Sequence, residues 1–444
     1  MSRRELLRTT VNGFGCLAFA GLAAEVAAKQ SNPLSPKPAH FAASAKRVIF
    51  LFMQGGPSHL DTFDYKPKLQ ADDGKAFNNS KIFGSPWKFA QHGQCGQWVS
   101  ELFPCVARHV DELCMLTGMA TVGQAHGPAS LFMHTGHTQQ VRPSLGSWAL
   151  YGLGSESAEL PGFIAMNPMK LAGQFHGSAF LPASYQATFI QPLPPKGEQP
   201  VPNLAPHLTA DQQRVQLDLM RRVNAGRLAL DEVNSELEGV IQSYELAFRM
   251  QSAVPSLMDL SKESQATLSM YGIDQKETEE FGRQCLLARR FAEAGVRFIE
   301  IGTSKWDHHT GLTEKHPQTA REVDQPIAAL LTDLKQRGLL QDTLVVWGGE
   351  FGRTPFAQFG NGRDHNNRGF TMWAAGGGVK AGIRYGVTDE YGREAVEQRV
   401  HVHDLHATIL HCLGLDHEKL TYRYSGRDFR LTDVHGNVVR EILT

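Results

Sequence analysis

The C-terminal half of the chain repeats one pattern that leaves few options for a fold: helix, glycine, apolar strand, loop. Residues 277–294 read as a helix that stops at Gly295 and hands over to the strand Val296-Arg297-Phe298-Ile299-Glu300-Ile301. Residues 318–337 read as a second helix, stopping at Gly338 ahead of the strand Thr343-Leu344-Val345-Val346-Trp347. A helix that ends on glycine and feeds an apolar strand, twice in succession, is how crossovers build a parallel sheet. Residues 370–375 add one more strand and residues 401–413 one more helix, whose N-cap is expected at Asp404. Near the other end, Arg47-Val48-Ile49-Phe50-Leu51-Phe52-Met53 is an almost unbroken apolar run bounded by Gly55-Gly56-Pro57. Such a run, rich in β-branched and aromatic residues, suits a strand buried on both faces. Leu113-Cys114-Met115-Leu116 is a shorter candidate of the same kind.

Between these strands, residues 62–110 are rich in glycine and lysine and read as loops and short elements. Residues 210–260 carry few glycines and many Leu, Glu, Arg and Gln, so a helical insertion is expected over about 210–262, broken late by Pro255. The expected architecture is α/β: a mostly parallel central sheet between helices, forming one domain over residues 46–444. With 41% hydrophobic residues the chain has ample material for a large core. Its formal net charge of −1 provides no field that would select nucleic acid or an anionic surface. Nucleic-acid binding is therefore not expected.

The N-terminus is the most specific local signal. Arg3-Arg4 precedes a mildly apolar run from Val11 to Ala24, and small residues end at Val26-Ala27-Ala28. This pattern fits a twin-arginine export signal over residues 1–28, followed by a linker over 29–45, and implies a periplasmic or extracellular protein. The run is short and rich in Gly and Ala for a span of ~30 Å of hydrocarbon, so no transmembrane span is expected in the mature chain. Cys16 has no lipobox before it. Cys95, Cys105, Cys114, Cys285 and Cys412 remain after cleavage, and one disulfide among the first three is expected, with the other thiols buried.

Ligands of open parallel sheets bind beyond the carboxyl ends of the strands. Those positions are rich in carboxylates and imidazoles here. Trp306-Asp307-His308-His309 follows one strand and Gly349-Glu350-Phe351-Gly352-Arg353 another. Gly362-Arg363-Asp364-His365 comes shortly after, and His59-Leu60-Asp61 follows the first strand. Eight of the 19 histidines fall between residues 308 and 411. Mixed Asp/Glu/His ligation suits zinc, manganese or a similar divalent ion.

Together the segments Met53–Asp64, Trp306–His309, Gly349–Pro355, Gly362–His365 and His403–Thr408 resemble a large family of exported bacterial proteins. That family is known as a domain of unknown function and is related to the alkaline phosphatase and sulfatase superfamily. The resemblance covers roughly residues 45 to 430. It implies an alkaline-phosphatase-like three-layer sandwich, one or two divalent ions, and hydrolysis of phosphate or sulfate esters. Carried over residue by residue, Asp307, His309, Glu350 and His365 are the metal-ligand candidates, with Asp61, Asp364 and His308 as second choices.

The sequence departs from the superfamily in the gap between Asp307 and His309, in Glu350 for an Asp, in the place of Asp61, and in two further ways that bear on the chemistry. Phe351 stands where a metal histidine is usual, which leaves a two-ion site short of a ligand. Thr135-Gly136 matches the end of the nucleophile motif, but nine residues earlier stands His126, and no Cys-x-Pro-x-Arg motif occurs. Three possibilities remain: His126 is itself a nucleophile or a ligand, a nearby Ser130 or Ser58 serves as nucleophile, or a metal-bound water attacks directly. His126 is expected to face the reacting group and Arg353 to pair with an anionic ester oxygen. The alternative is a scaffold or binding module at the cell envelope that kept the fold and lost the chemistry.

Overall fold

The computed structural model describes residues 33–444 apart from 78, 167–171, 195–197, 202–203, 205–207 and 229–234. The expected export signal, residues 1–28, lies outside the described residues. The central sheet is built from β1 (Arg47–Met53), β2 (Leu113–Ala120), β3 (Phe163–Met166), β4 (Thr188–Ile190), β5 (Phe298–Thr303) and β6 (Thr343–Gly348). A two-stranded hairpin, β7 (Gly352–Ala357) and β8 (Arg363–Asn366), follows β6, and the sheet is completed by β9 (Phe370–Ala375), β10 (Ile383–Tyr385) and β11 (Val400–His401). Its spatial order is β10-β2-β9-β6-β1-β5-β3-β4, with β11 pairing on β2.

All of these strands run in one direction except β9, which is antiparallel to both β6 and β2. β1 lies in the middle, with Arg47 opposite Thr343 on one side and Val48 opposite Phe298 on the other. Successive side chains of a strand point to opposite faces, and every residue of β1, β2, β6 and β9 is buried. Both faces of the sheet are therefore covered, which makes it the middle layer of the sandwich. On its interior Trp347 stacks on Trp373 at 6.0 Å, and Phe63 meets Trp347 edge-on at 5.2 Å.

The helices that matter for the site are α1 (His126–Thr135), α2 (Leu145–Leu153), α3 (Ala210–Leu228), α4 (Ser235–Met258), α5 (Glu279–Glu293), α6 (Leu312–Gln336) and α7 (Val402–Cys412). The helical insertion is thus two helices, and α4 runs through Pro255 to end at Met258. Helix α6 starts six residues before the expected position because it accommodates Pro317 and Pro326 in its interior. At α7 the N-cap is His401, not Asp404: the His401 side chain accepts from the His403 amide, and Asp404 reaches back to the His401 amide, closing a capping box.

Two other expectations meet a different outcome. Residues 33–45 are tied down, since Lys37 N donates to Leu153 O and Ser44 N to Cys412 O, with Leu34 buried. The five cysteines are all free: Cys114 is held inside β2, Cys285 and Cys412 are buried in α5 and α7, and Cys95 is exposed. Among the described residues no helix is long and apolar enough to cross a membrane.

Candidate metal centre

Three neighbouring parallel strands, β5, β1 and β6, deliver their C-terminal loops to one edge of the sheet. β5 leads to Asp307 and His309, β1 to Gly55, and β6 to Glu350 and Arg353. Strand β2 runs the same way and leads into α1, whose first residue is His126. Because β9 runs the opposite way, the β7–β8 hairpin that precedes it stands on the same edge, with Arg353 directly across from His365. Glycine lets these loops close up. Gly55 has φ +111°, and a Cβ there would sit 2.6 Å from the Asp307 nitrogen; a Cβ on Gly362 would collide with the His309 carbonyl.

The result is a cluster of His126, Asp307, His309 and His365, whose ligand atoms all lie within 4.8 Å of one another. His309 Nε2 is 2.9 Å from His365 Nε2 and 3.1 Å from Asp307 Oδ1. His365 Nε2 is 3.4 Å from the same carboxylate oxygen, and His126 Nε2 is 3.2 Å from Asp307 Oδ2. Metal–ligand bonds of ~2.0–2.1 Å in a tetrahedron require ligand atoms ~3.3 Å apart. These separations bracket that value.

The outward-facing nitrogens matter as much. His126 Nδ1 donates to Glu350 Oε1 (2.5 Å), His365 Nδ1 to the Gln124 carbonyl (2.5 Å) and His309 Nδ1 to Gln358 Oε1 (2.5 Å). A carbonyl and a carboxylate can only accept, so the proton of a neutral imidazole sits on Nδ1 and the lone pair of Nε2 faces inward. Fixing the tautomer through the far nitrogen is how proteins prepare histidine ligands. His126 Nε2 is buried and, among the described residues, makes no well-aligned hydrogen bond, with Asp307 Oδ2 in ion-pair range at 3.2 Å.

Charge tells the same story. Burial opposes a charge on His126, but the Asp307 and Glu350 carboxylates outweigh it and raise its pKa to about 9. Burial pushes Asp307 up, yet contacts with His126, His365 and Arg353 hold it far below the usual carboxylate range. Without a metal, a proton on His126 balances the carboxylates; a dication would replace it. Asp307 remains 43% exposed, so the centre is open to solvent on one side.

The other expected residues sit around this group in distinct places. Glu350 is fully buried and outside the ligand cluster; besides holding His126 it accepts from the Gly55 amide at 3.0 and 3.2 Å. Arg353 is 1% exposed and engages all three of its side-chain nitrogens: Nε donates to Gly56 O, Nη1 to Arg363 O, and Nη2 to Gly55 O and to Asp307 Oδ1 (2.6 Å). It therefore aims Asp307 and does not present a fork to an ester oxygen. Asp61 does not join the ligands, because Arg363 grips both its oxygens (2.7 and 3.1 Å) and Ser58 Oγ donates to it at 2.5 Å. Asp364 is largely exposed and reaches only to 3.9 Å from His309 Nδ1. His308 turns away to face buried His316, with their Nδ1 atoms 3.2 Å apart; burial and that facing ring hold His308 down at about 3.

His126, expected to face the reacting group or to serve as a ligand, stands in the cluster with Asp307, His309 and His365. Ser58 is spent on Asp61, and Ser130 is buried on α1. Gln124 and Gln358 were not foreseeable as partners: one contributes only its carbonyl, and the other reaches His309 across a hairpin that gives no local signal.

Among solved structures, the chain is similar to the lipoteichoic acid synthase LtaP from Listeria monocytogenes at 9% identity and a TM-score of 0.37, over 90% of this chain and 78% of that one. It is similar to the PsFucS1 sulfatase from Pseudoalteromonas sp. at 14% identity and 0.38, over 84% and 68%. A third likeness is to alkaline phosphatase from the Antarctic bacterium TAB5 at 9% identity and 0.33, over 75% and 92%. Each is a distant likeness of overall shape and carries nothing about chemistry. No curated protein matches the sequence. One family model does, over residues 45–443, nearly the whole described chain, and by it the chain belongs to the family described as proteins of unknown function, DUF1501.

Proposed function

We propose that the chain is an exported, metal-dependent hydrolase of phosphate or sulfate esters, with its ion held by His126, Asp307, His309 and His365. One observation carries this reading: three imidazoles have their Nδ1 atoms engaged by acceptors while their Nε2 atoms converge on one exposed carboxylate. The chemistry of the set, three nitrogens and one oxygen, fits zinc or manganese. When bound, such an ion supplies Lewis acidity toward an ester oxygen and lowers the pKa of water.

The chain's own residues do the rest. Arg353 fixes the Asp307 carboxylate, so that its position does not depend on its own rotamer. Glu350 keeps the His126 proton on Nδ1 and, being buried and anionic, raises the basicity of Nε2. The open side at Asp307 is where substrate and water enter. With Ser58 and Ser130 both committed or buried, attack by water is favoured over attack by a side-chain hydroxyl.

A second reading has its own observation. Four protein ligands complete a tetrahedron, which is the count of a structural site. On that basis the chain is a metal-bearing scaffold or binding module at the cell envelope. The readings part on exchangeable water and turnover. The full chain, purified without chelator or affinity metal, is assayed on p-nitrophenyl phosphate and p-nitrophenyl sulfate beside Asp307→Ala. Turnover lost in the variant supports the hydrolase. Stoichiometric metal with no turnover on any ester supports the scaffold.

A further inference from the structure

A second group of the same residue types lies deep in the fold. His134 on α1, Glu300 on β5 and His176 are all buried, and their ligand atoms are again mutually within 4.8 Å. Their geometry differs from the open centre. Both His134 Nε2 (2.8 Å) and His176 Nε2 (2.7 Å) meet a single oxygen, Glu300 Oε1, at hydrogen-bond length and well inside the ~3.3 Å edge of a tetrahedral site. The space beside them, between Phe50, Leu145, Phe163 and Phe298, is too small for a water molecule. His134 Nδ1 donates to the Ser130 carbonyl at 2.7 Å, so a proton on Nε2 as well makes it an imidazolium facing the carboxylate. The group is thus a buried charge pair with a second imidazole donor, not a second metal site.

Its placement gives it a use. Helix α1 carries His126 at its exposed N-terminal end and His134 eight residues on, ~12 Å along the axis. From Ala129 to Thr135 the helix is buried, and its last carbonyls are capped from α7: His406 Nε2 donates to Met133 O (2.7 Å) and His403 Nε2 to Gly136 O (3.0 Å). In the N-terminal turn the two residues after His126 are thinly packed. Gly127 has open space where a Cβ would be, and Pro128 is exposed. Glu350 holds the His126 ring and Phe351 and His365 pack on it, while the position of the backbone that carries it follows from the buried end. Glu300, in turn, sits on the strand whose loop supplies Asp307 and His309.

We propose that the His134–Glu300–His176 triad is a positioning device for the metal centre: it locks α1 against β5 so that His126 meets Asp307 and His309. This rests on the metal reading above. The test uses the full chain and cobalt(II), whose visible spectrum reports coordination. Glu300→Gln is compared with the parent in two backgrounds, wild type and His126→Ala. The proposal expects about tenfold weaker cobalt binding and a shifted spectrum in the wild-type background, and no further weakening where His126 is absent. Equal weakening in both backgrounds, or unchanged affinity and spectrum, overturns it. Should Glu300→Gln fail to fold, His134→Phe/Glu300→Leu removes the pair without leaving a buried charge and is read the same way. If neither folds, the triad holds the fold and not the ligand geometry, and the proposal is overturned. A wild type that takes up no cobalt defeats the metal reading too; an unmoved variant beside a cobalt-binding wild type defeats only the positioning role.

Discussion

Two clusters in this protein draw on nearly the same side chains, yet they do opposite things with them. At the open centre, three imidazoles turn their Nδ1 protons outward to Glu350, Gln358 and Gln124, leaving lone pairs aimed at a shared point beside Asp307. In the buried triad, His134 also spends Nδ1 on a carbonyl, but two Nε2 atoms close directly onto Glu300 at 2.7 and 2.8 Å. The first arrangement leaves room for an ion and access to water; the second leaves neither. Residue type alone does not make a metal site. What separates the two is ligand-atom spacing of 2.9 to 3.4 Å in the open cluster against two contacts of 2.7 and 2.8 Å onto a single oxygen, and a half-exposed carboxylate against one that is buried.

The sharpest way to break this contrast is to delete the carboxylate from each cluster. Asp307→Ala removes the only anion among the described residues that touches the shared point, and metal binding is expected to vanish, beyond the ~100-fold range seen for supporting residues. Titration calorimetry checks it. Glu300→Gln leaves an imidazolium buried without its counter-charge and is expected to cost ~3–5 kcal/mol of stability. Urea unfolding of the metal-free protein reads that loss.

Glu350→Ala probes a supporting residue of the open centre. It removes the acceptor that fixes the His126 tautomer, so affinity is expected to fall by ~10–100-fold while the fold is kept. The pH dependence follows from His126, whose proton must leave before Nε2 can bind. With its pKa raised to about 9 in the metal-free protein, affinity is expected to climb from neutral pH and flatten above about 9. One released proton gives about tenfold per pH unit on the rising limb. A flat profile in this window would show that His126 is not a ligand. Asp364→Asn is the smallest change: an exposed group 3.9 Å from His309 is expected to leave affinity within about twofold.

The sequence carried the frame of the fold in its apolar runs. β1 and β9 fall at the expected residues, 47–53 and 370–375, since a strand buried on both faces has no other way to be written. Boundaries failed around proline: α4 runs on past Pro255, where a break was expected, and α6 begins ahead of Pro317, because tertiary packing outweighs the hydrogen bond each removes. The β7–β8 hairpin was invisible, since neither strand has a clean alternation, and it is this hairpin that returns His365 to Arg353.

The site was legible as a set of strand-end residues but not as roles. Glu350 and His126 are 224 positions apart, and nothing local says which binds and which supports. Asp61 looked like a ligand only because Arg363, its partner across 302 positions, was out of view. Glu300 did leave a trace: a carboxylate inside an apolar strand must find a partner. Its partners, His134 and His176, lie 166 and 124 residues away.

The central claim is that the open cluster holds an ion and the buried one does not. Elemental mass spectrometry of the purified full chain, beside Asp307→Ala and Glu300→Gln, tests it most directly. One equivalent of zinc or manganese in the wild type, lost in Asp307→Ala and still detectable in Glu300→Gln, is the expected result. A wild type without stoichiometric metal, or one whose metal survives Asp307→Ala and disappears with Glu300→Gln, would contradict it.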